Sequence, residues 1–212
     1  MILDPHVHTI YSIDGYSTPR DIARVAEMRN GIIAVTDHDA VRGAIRAREL
    51  SNRIIVGEEV STRSGHVLAL GIDGEIRKGL GVGETVEEIH DHGGVAIGAH
   101  PFRIRSGAGK RIDERFDGIE VLNARTTMKA NNRASEYARH LGISCTGGSD
   151  AHMVEFIFVA YTEFEGDSAE DALEAIRRGK TRAAGRVMNR ESIMEQKIIN
   201  FFILTERVFA LR

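Results

Sequence analysis

The segment Ile32-Ile-Ala-Val-Thr-Asp-His-Asp39 joins an apolar run directly to three ligand-type side chains. Its first five residues are apolar or β-branched, which is typical of a strand that is buried on both faces of a parallel sheet. The run ends where His38 stands between two carboxylates, Asp37 and Asp39. A lone histidine after a strand is more often a satisfied polar group, but flanking carboxylates favour a supported metal ligand. The segment therefore predicts a buried strand with metal-binding chemistry at its C-terminal end.

Short apolar strands alternate with amphipathic helices on both sides of this segment. Further strands are predicted over residues 2–6, 54–56, 66–70, 95–97, 118–122 and 143–146. Helices are predicted to begin near residues 19, 41, 85, 129 and 169, the first of them with Thr18 as N-cap and Pro19 as first helical residue. The longest interruption, residues 102–117, is polar and basic, as expected of an excursion over a site. The alternation predicts an α/β fold with a parallel sheet or barrel.

Ligand-type side chains recur where the predicted strands end. In chain order they are His6 and His8, Asp37 and His38, Glu58 and Glu59, His66, His100, Glu120 and Asn123, and Asp150 and His152. Because the C-terminal ends of parallel barrel strands lie on one face, these residues are expected to converge although they are far apart in sequence. Histidines with purely structural roles would have no reason to follow strand ends. The sequence therefore predicts one site at one mouth of a barrel.

Several of these segments suit particular roles in metal binding. His6-Val-His8 can place two imidazoles on one ion, although a surface or core pair of histidines without a metal role is an equally good interpretation. Asp4 is placed to fix an imidazole tautomer. Gly57-Glu-Glu59 offers a carboxylate to bridge two ions, which repel strongly at about 4 Å unless anionic oxygens lie between them; the alternative is a solvated acidic pair. Pro101 prevents the ladder from continuing past His100.

Other histidines have simpler explanations. His90 and His92 are expected at a helix end, where interaction with the helix dipole or with solvent accounts for them, and His140 is interpreted in the same way. The single cysteine, Cys145, lies in a predicted buried strand and is expected to serve packing. A chain with one cysteine has no intramolecular disulfide framework, which fits a reducing compartment.

The bulk composition is that of an ordinary globular protein. The 212 residues are 42% hydrophobic and 28% charged, with a formal net charge of -3 and a pI near 6.3. No global basic field therefore indicates nucleic-acid binding, although a local basic patch stays open. The sequence shows neither a signal peptide nor an apolar run of roughly 18 residues, so we expect a cytoplasmic protein with no membrane partner.

The pattern changes at about residue 187. From there the apolar residues alternate with charges in one long amphipathic helix, and they occur on more than one of its sides. We therefore expect a barrel domain over residues 1–186 and a C-terminal tail over residues 187–212 that packs on the domain or on a second copy of the chain. A membrane-surface helix is the minor alternative, since the charges are mixed rather than basic.

Six motifs resemble those of the PHP (polymerase and histidinol phosphatase) family of metal-dependent phosphoesterases. They are Asp4-Pro-His-Val-His8, Ser12-Ile-Asp-Gly15, Thr36-Asp-His38, Gly57-Glu-Glu59, Ala99-His-Pro101 and Gly148-Ser-Asp-Ala-His152, in family order over about residues 1–184. The resemblance implies a distorted (β/α)7 TIM-like barrel, here with an added C-terminal helix. It also implies two or three divalent metal ions as cofactors.

The resemblance also implies a ligand set. His6, His8, Glu59 and Asp150 would hold the first ion; Glu59, His66 and His100 the second; and Asp14, His38 and His152 the third. Many relatives have histidine at the Asp14 position, so this chain offers an oxygen donor there and shifts the expected preference toward Mn²⁺ or Fe²⁺ over Zn²⁺. Of the implied ligands, His66 has the most variable distance along the chain from Glu59, because the loop after Glu59 varies in length within the family.

The expected chemistry is hydrolysis of a phosphate ester by a metal-activated water. Arg103 is the best candidate for a phosphate clamp, because a guanidinium binds two phosphoryl oxygens. Arg105, Lys110 and Arg111 either extend that positive field or form a solvated basic loop. Asp150 or His152 is expected to protonate the leaving group.

Three functional classes stay open on the sequence alone. The leading one is a phosphatase or phosphodiesterase that acts on small phosphorylated metabolites. The second is a nuclease or nucleotide phosphatase that processes the ends of short RNA or DNA, with the basic segment 102–117 guiding the strand, although aromatic stacking platforms are scarce. The third is a non-catalytic metal-binding module that works through its tail. A zinc amidohydrolase is also conceivable, but the arginine-rich loop favours anionic substrates.

Overall fold

A computed structural model of the chain describes residues 1–189, 191–194 and 198. Within these residues the strands are β1 Ile2–Val7, β2 Ile32–Val35, β3 Ile54–Thr62, β4 Gly65–Leu70, β5 Val95–Gly98, β6 Gly118–Asn123, β7 Ser144–Gly148, β8 Ala160–Phe164 and β9 Thr181–Gly185. The α-helices are α1 Pro19–Arg29, α2 Arg42–Arg48, α3 Val82–Asp91, α4 Met128–Leu141 and α5 Ala169–Arg177. The predicted N-cap of α1 is confirmed, since the Thr18 side chain accepts a hydrogen bond from the Asp21 N–H.

All nine described strands form one sheet, in the order β7-β6-β5-β4-β3-β2-β1-β8-β9. The sheet contains two parallel blocks, β1-β2-β3 and β5-β6-β7. The predicted α/β barrel is therefore confirmed, but the expectation of an all-parallel sheet is wrong. Strand β4 runs antiparallel to both β3 and β5, because β3 extends to Thr62 and turns straight back at residues 63–64. So short a connection has no room for the crossover that parallel strands need.

The barrel is nearly closed where β1 meets the end of β7. The His8 N–H donates to the Ala151 carbonyl at 2.8 Å, and the Ala151 N–H donates to the His6 carbonyl at 3.3 Å. The hairpin of β8 and β9, which the sequence did not predict, covers the rest of this seam. The hydroxyl of Thr162 accepts from the Gly147 N–H and donates to the Gly147 carbonyl, both at 2.9 Å.

A break in the register of β1 decides which of its side chains enter the barrel. The pairing of β1 with β2 shifts between Asp4 and Val7. Leu3 consequently packs in the interior cluster, whereas Val7 packs outward against α1 and α2. His6 and His8 thus occupy the inward positions near the end of β1, and both are buried. The same inward face of β3 carries Ile55 near its start and Glu59 near its end.

The barrel therefore has an apolar end and a polar end. Inward residues near the starts of the parallel strands form one cluster with the buried face of α5, which includes Ala172 and Ile176. The ligand-type residues occupy the opposite mouth. The polar side chains therefore lie next to closely packed apolar residues, and this packing fixes their positions.

Asp4 joins three elements at the seam. Its Oδ1 accepts from the Ser149 N–H at 3.0 Å and from the His6 N–H at 3.4 Å, and its Oδ2 accepts from the Phe158 N–H at 2.8 Å. The expectation that Asp4 fixes an imidazole tautomer is wrong, because these bonds take up the carboxylate with backbone donors. Burial raises the pKa of Asp4 to about 6 despite those bonds.

The C-terminal prediction falls largely outside the described residues. Residues 191–194 are helical as expected, but most of the remainder of the predicted helix over 187–212 lies outside the described part of the chain. The division into a barrel and a tail, and a homodimer formed through that tail, stay predictions. Among the described residues, no helix has the length and apolar character needed to cross a membrane.

We expect Asp4→Ala to lower the free energy of unfolding by about 3 kcal/mol, because three backbone N–H donors lose their acceptor. In a chain of this size the loss corresponds to a fall in Tm of roughly 6–12 °C, measurable by circular dichroism on metal-free protein. Thr18→Ala, which removes an exposed helix cap, is the control and should cost only about 1 kcal/mol. An Asp4→Ala protein that melts with the wild type would contradict the role of Asp4 at the seam.

Candidate metal centre

The structure brings all nine sequence-predicted ligand residues to the polar mouth of the barrel. They form four overlapping groups whose ligand atoms lie within 4.8 Å of one another: His8, Asp14, His38 and His152; His6, His100 and Asp150; His6, His8 and Glu59; and His38, Glu59 and His66. Two atoms that share an ion at about 2.1 Å each lie no more than about 4.2 Å apart. The observed groups are therefore close to the spacing that shared cations require.

Glu59 lies at the centre of these groups. Its Oε1 is 2.7 Å from His66 Nδ1 and 2.9 Å from His100 Nε2. Its Oε2 is 3.1 Å from His6 Nε2 and 3.2 Å from His38 Nδ1. Burial opposes ionisation of this carboxyl, but the charges of His6 and His38 and hydrogen bonds from the imidazoles outweigh it and hold its pKa well below the usual range. Glu59 is thus an anion in the barrel interior.

His66 reaches the mouth for a different reason from the other ligand-type residues. It lies at the start of β4, paired with Ser61 of β3. Because β4 is antiparallel to its neighbours, its start lies beside the ends of the parallel strands. The expectation that every site residue follows the C-terminal end of a parallel strand is therefore wrong for His66, although the residue joins the site.

Asp150 connects the histidines of β1 to the arginines of the site. Its Oδ1 lies 3.6 Å from His8 Nε2 and 3.8 Å from His6 Nε2. Burial opposes its ionisation, but the charges of Arg103, His6 and Arg125 hold the pKa of this carboxyl well below its usual value. Both Asp150 and His100 have positive φ angles, 53° and 27°. Such backbone strain in residues other than glycine is characteristic of functional sites.

The third group is more open to solvent. Asp14 Oδ2 lies 2.9 Å from His152 Nε2 and 4.0 Å from His38 Nε2, and both Asp14 and His38 are about one-quarter exposed. Burial, together with the charges of His8 and Arg125, lowers the pKa of His152 to about 4. His152 is therefore a neutral imidazole with a lone pair available near neutral pH.

Glu120 performs the orienting role that the sequence suggested for Asp4. Its Oε1 lies 3.1 Å from His6 Nδ1, and its Oε2 accepts from the His100 N–H at 2.7 Å. Asn123 also donates to Glu120 Oε2 at 3.0 Å. A proton on Nδ1 of His6 leaves its Nε2 lone pair directed at Glu59 and Asp150. The position of Glu120 at a strand end was visible in the sequence, but its specific partners were not.

Two other strand-end carboxylates stay outside the cluster. Asp37 accepts from the Thr9 N–H at 2.6 Å and from the Thr9 hydroxyl at 2.7 Å, and so fixes the loop after β1. Glu58 points away from Glu59, as alternation along a strand requires, and accepts from the Ile76 N–H at 3.0 Å. Burial raises the pKa of Glu58 to about 7. His90 and His92 also lie elsewhere, each beside an aspartate.

Two arginines stand at the wall of the site. Arg103 donates to Thr126 Oγ1 at 3.0 Å and Asn123 Oδ1 at 2.6 Å, and its Nη2 lies 2.5 Å from Asp150 Oδ2. Arg125, which the sequence analysis missed, has its Nη1 2.5 Å and 2.9 Å from the two ring nitrogens of His152. Its only sequence signal is its place two residues after the end of β6. These side chains line a pocket of about 240 Å³ together with the metal-type ligands and Ile193.

A barrel with imidazoles and carboxylates gathered around one buried glutamate defines a protein with a candidate polynuclear metal centre. Residues 129–181 match the PHP-associated family model. The uncharacterized protein MJ1587 of Methanocaldococcus jannaschii is 36% identical over 141 residues, which cover 58% of this chain and 82% of that protein.

Two further similarities concern a nuclease and a solved structure. The 5'-3' exoribonuclease Rnm of Escherichia coli is 39% identical over 84 residues, or 34% of this chain and 28% of the nuclease. A two-domain protein from Bacteroides vulgatus that contains a predicted PHP-like metal-dependent phosphoesterase has a TM-score of 0.70 at 19% identity, covering 94% of this chain and 69% of that one. The chain belongs to the PHP family, which confirms the resemblance of its motifs.

We expect Glu58→Gln to stabilise the protein above pH 7. The pKa of Glu58 is raised from 4.5 to about 7 in the fold, so ionisation costs stability as the pH rises through that interval, and glutamine removes the cost. The gain in Tm should be a few degrees at pH 8 and should vanish near pH 4.5, as measured by thermal melts across this range. Equal stability of the two proteins at pH 8 would contradict a buried, destabilising carboxylate.

Proposed function

We propose that this chain is a metal-dependent hydrolase of phosphate esters that holds two or three divalent ions at the barrel mouth. One observation carries the proposal: a single buried carboxylate faces five imidazoles at 2.7 to 3.3 Å. Those imidazoles belong to His6, His8, His38, His66 and His100. In the absence of a cation, positive charge on His6 and His38 offsets that of Glu59; with divalent ions present, the same imidazoles would act as neutral lone-pair donors.

The residues present fit such ions. His8 Nε2 and His38 Nδ1 are buried and have no hydrogen-bond partner among the described residues, although they lie 3.3 and 3.2 Å from Glu59 Oε2. Within the described part of the chain, Asp14 Oδ1 is likewise buried without a partner. Buried polar atoms are normally satisfied, and a cation shared with Glu59 would satisfy these nitrogens.

The groups at the mouth support three ligand sets, of which the first two share Glu59, whose Oε1 faces both His66 and His100. We assign His6, His8, Glu59 and Asp150 to the first, Glu59, His66 and His100 to the second, and Asp14, His38 and His152 to the third. Mixed nitrogen and oxygen donors suit Mn²⁺, Fe²⁺ or Zn²⁺. When bound, the ions supply Lewis-acid polarisation of phosphoryl oxygens and lower the pKa of a water nucleophile.

The side chains of the pocket supply the remaining chemistry. Arg103 is held by Thr126 and Asn123, so its guanidinium is positioned at the pocket wall before substrate arrives. The oxygens of an incoming phosphate would replace Asp150 as the partners of Arg103 and Arg125. Each guanidinium can bind two phosphoryl oxygens at once. The expected role of Asp150 or His152 as proton donor stays a prediction, because the charges of Arg103 and His6 hold the Asp150 carboxyl ionised and burial holds His152 neutral.

A basic surface beside the pocket supports a nuclease or nucleotide phosphatase as the second candidate. Its cations form no ion pair within the described residues: Arg105, Lys110, Arg111, Lys129 and Arg133. The loop after β5 is joined to α4, since Tyr137 donates to the Ile112 carbonyl at 2.8 Å and the Arg133 guanidinium lies 4.2 Å from the Phe102 ring centroid. Unpaired cations on one surface attract a phosphodiester backbone.

A substrate panel tests the proposal. The purified chain should be incubated with Mn²⁺, Zn²⁺ or Mg²⁺ and an aryl phosphate, a bis-aryl phosphodiester, nucleotides or short 5'-phosphorylated RNA. We expect metal-dependent release of phosphate or alcohol from at least one small ester. Release from small monoesters alone would reject the nuclease candidate, and absence of turnover with metals bound would favour a non-catalytic metal-binding module.

Glu59→Gln should remove at least one bound ion per chain and slow turnover by roughly 10³-fold, because the substitution removes the central negative charge. Metal content is measured by elemental analysis and turnover with the best substrate of the panel. Glu58→Gln on the adjacent, outward position is the matched control and should leave both within about twofold. Retention of full metal content and activity in Glu59→Gln would reject the assigned centre.

Reversal of charge on the basic surface distinguishes the two candidate functions. If the surface guides RNA, Arg111→Glu with Lys129→Glu should raise KM for the 5'-phosphorylated oligonucleotide about tenfold at low salt, and the effect should shrink at high salt. Activity on the aryl phosphate should not change. Arg20→Glu with Arg24→Glu on α1 alters the net charge equally and is the control; equal effects of both pairs would contradict a specific role for this surface.

A further inference from the structure

The described part of the C-terminal segment crosses the mouth of the barrel instead of leaving it. The Arg186 N–H donates to the Val159 carbonyl at 2.9 Å, and the Met188 N–H donates to the Ala124 carbonyl at 2.7 Å. These two bonds anchor the segment to β8 on one side and to the end of β6 on the other. The segment is therefore fixed across the side of the mouth where β6, β7 and β8 lie.

A small apolar cluster strengthens this anchor. Met188 is 7% exposed and packs with Ala124 and Ala160, and Phe156 and Ile193 pack against the same cluster. Ala124 directly precedes Arg125, and Phe156 follows His152 by four residues. The cluster thus contacts the two loops that carry pocket residues, so the C-terminal segment packs against the pocket wall.

Residues 191–194 are helical, and Ile193 of this turn lies at the pocket. The Asn189 side chain accepts from the Ser192 N–H at 2.7 Å, and its carbonyl accepts from the Ile193 N–H at 3.3 Å, as in an N-terminal helix cap. Ile193 is half-buried and lines the pocket, whereas the next residue, Met194, is 58% exposed. Among the described residues that line this pocket, Ile193 is the one apolar side chain; the others are ionisable.

We infer that Ile193 is a specificity-determining residue that forms an apolar wall for the alcohol portion of the substrate. This inference rests on the proposed function, since the cationic groups of the same pocket would hold the phosphoryl group. A carbon-rich, uncharged alcohol gains from contact with Ile193, at about 25 cal/mol per Å² of apolar surface buried. A strongly hydrated polyol loses water against the same wall without a hydrogen bond in return. The site therefore selects phosphoesters of apolar or aromatic alcohols.

Binding of phosphonates tests this selection without any turnover. The full chain, loaded with Mn²⁺, should bind phenylphosphonate more tightly than methylphosphonate by calorimetry. Ile193→Ala should reduce that ratio roughly fivefold to tenfold by weakening the phenyl ligand alone, with unchanged metal content. Ile193→Val should fall between the two proteins, and Met194→Ala, its exposed neighbour, should keep the wild-type ratio.

Kinetics supply a second readout if the chain turns over esters. Ile193→Ala should raise KM for phenyl phosphate and lower KM for glycerol phosphate, because the apolar wall favours the phenyl group and opposes the hydrated polyol. Equal phosphonate ratios in wild type and Ile193→Ala would overturn the inference, as would loss of metal or of the folded state in both Ile193 variants. Absence of phosphonate binding to the wild type would overturn it as well. Retained phosphonate selectivity without turnover of any ester would instead overturn only the proposed function.

Discussion

The negative charge of Glu59 in the barrel interior is the interaction on which the rest of the site depends. An isolated buried carboxylate would be neutral, because burial strongly disfavours the charged form. Here the surrounding imidazoles keep it ionised, and they come from four strands of the sheet or their ends: β1, β2, β4 and β5. The histidines are consequently held close together although they come from distant parts of the chain. Removal of the central charge would leave these rings without the one group that contacts all five of them.

Local departures from regular structure in the sheet bring the histidines close to Glu59. The shift of register in β1 turns His6 and His8 inward, and the reversal of β4 brings His66 to the same mouth. Left-handed backbone at His100 and Asp150 then aims both side chains at the centre. Each departure disturbs a regular ladder, and each lies beside the site. The packed apolar end of the barrel supplies the rigidity that makes such departures tolerable.

Much of the site could be predicted from the sequence because strand ends carry positional information. Apolar runs accompanied by imidazoles and carboxylates predicted that eight of the nine residues share one mouth, whereas Asp14 came only from the family resemblance of its motif; local caps such as Thr18 were equally visible. The remainder depends on partners distant in sequence. Nothing local shows that Asp4 bonds to Ser149, that Arg125 turns toward His152, or that β4 reverses. Strands β8 and β9 escaped notice because they are short and partly exposed.

The seam between β1 and β7 has a consequence for the order of folding. Asp4 and Ser149 are separated by 145 positions, so their contact closes almost the whole barrel in one long loop. Loops of that length form late, after local helices and hairpins have reduced the remaining search. His6 lies on the β1 side of this seam, and Asp150 lies on the β7 side. A chain that has not closed this contact therefore lacks a complete copy of the proposed ligand set.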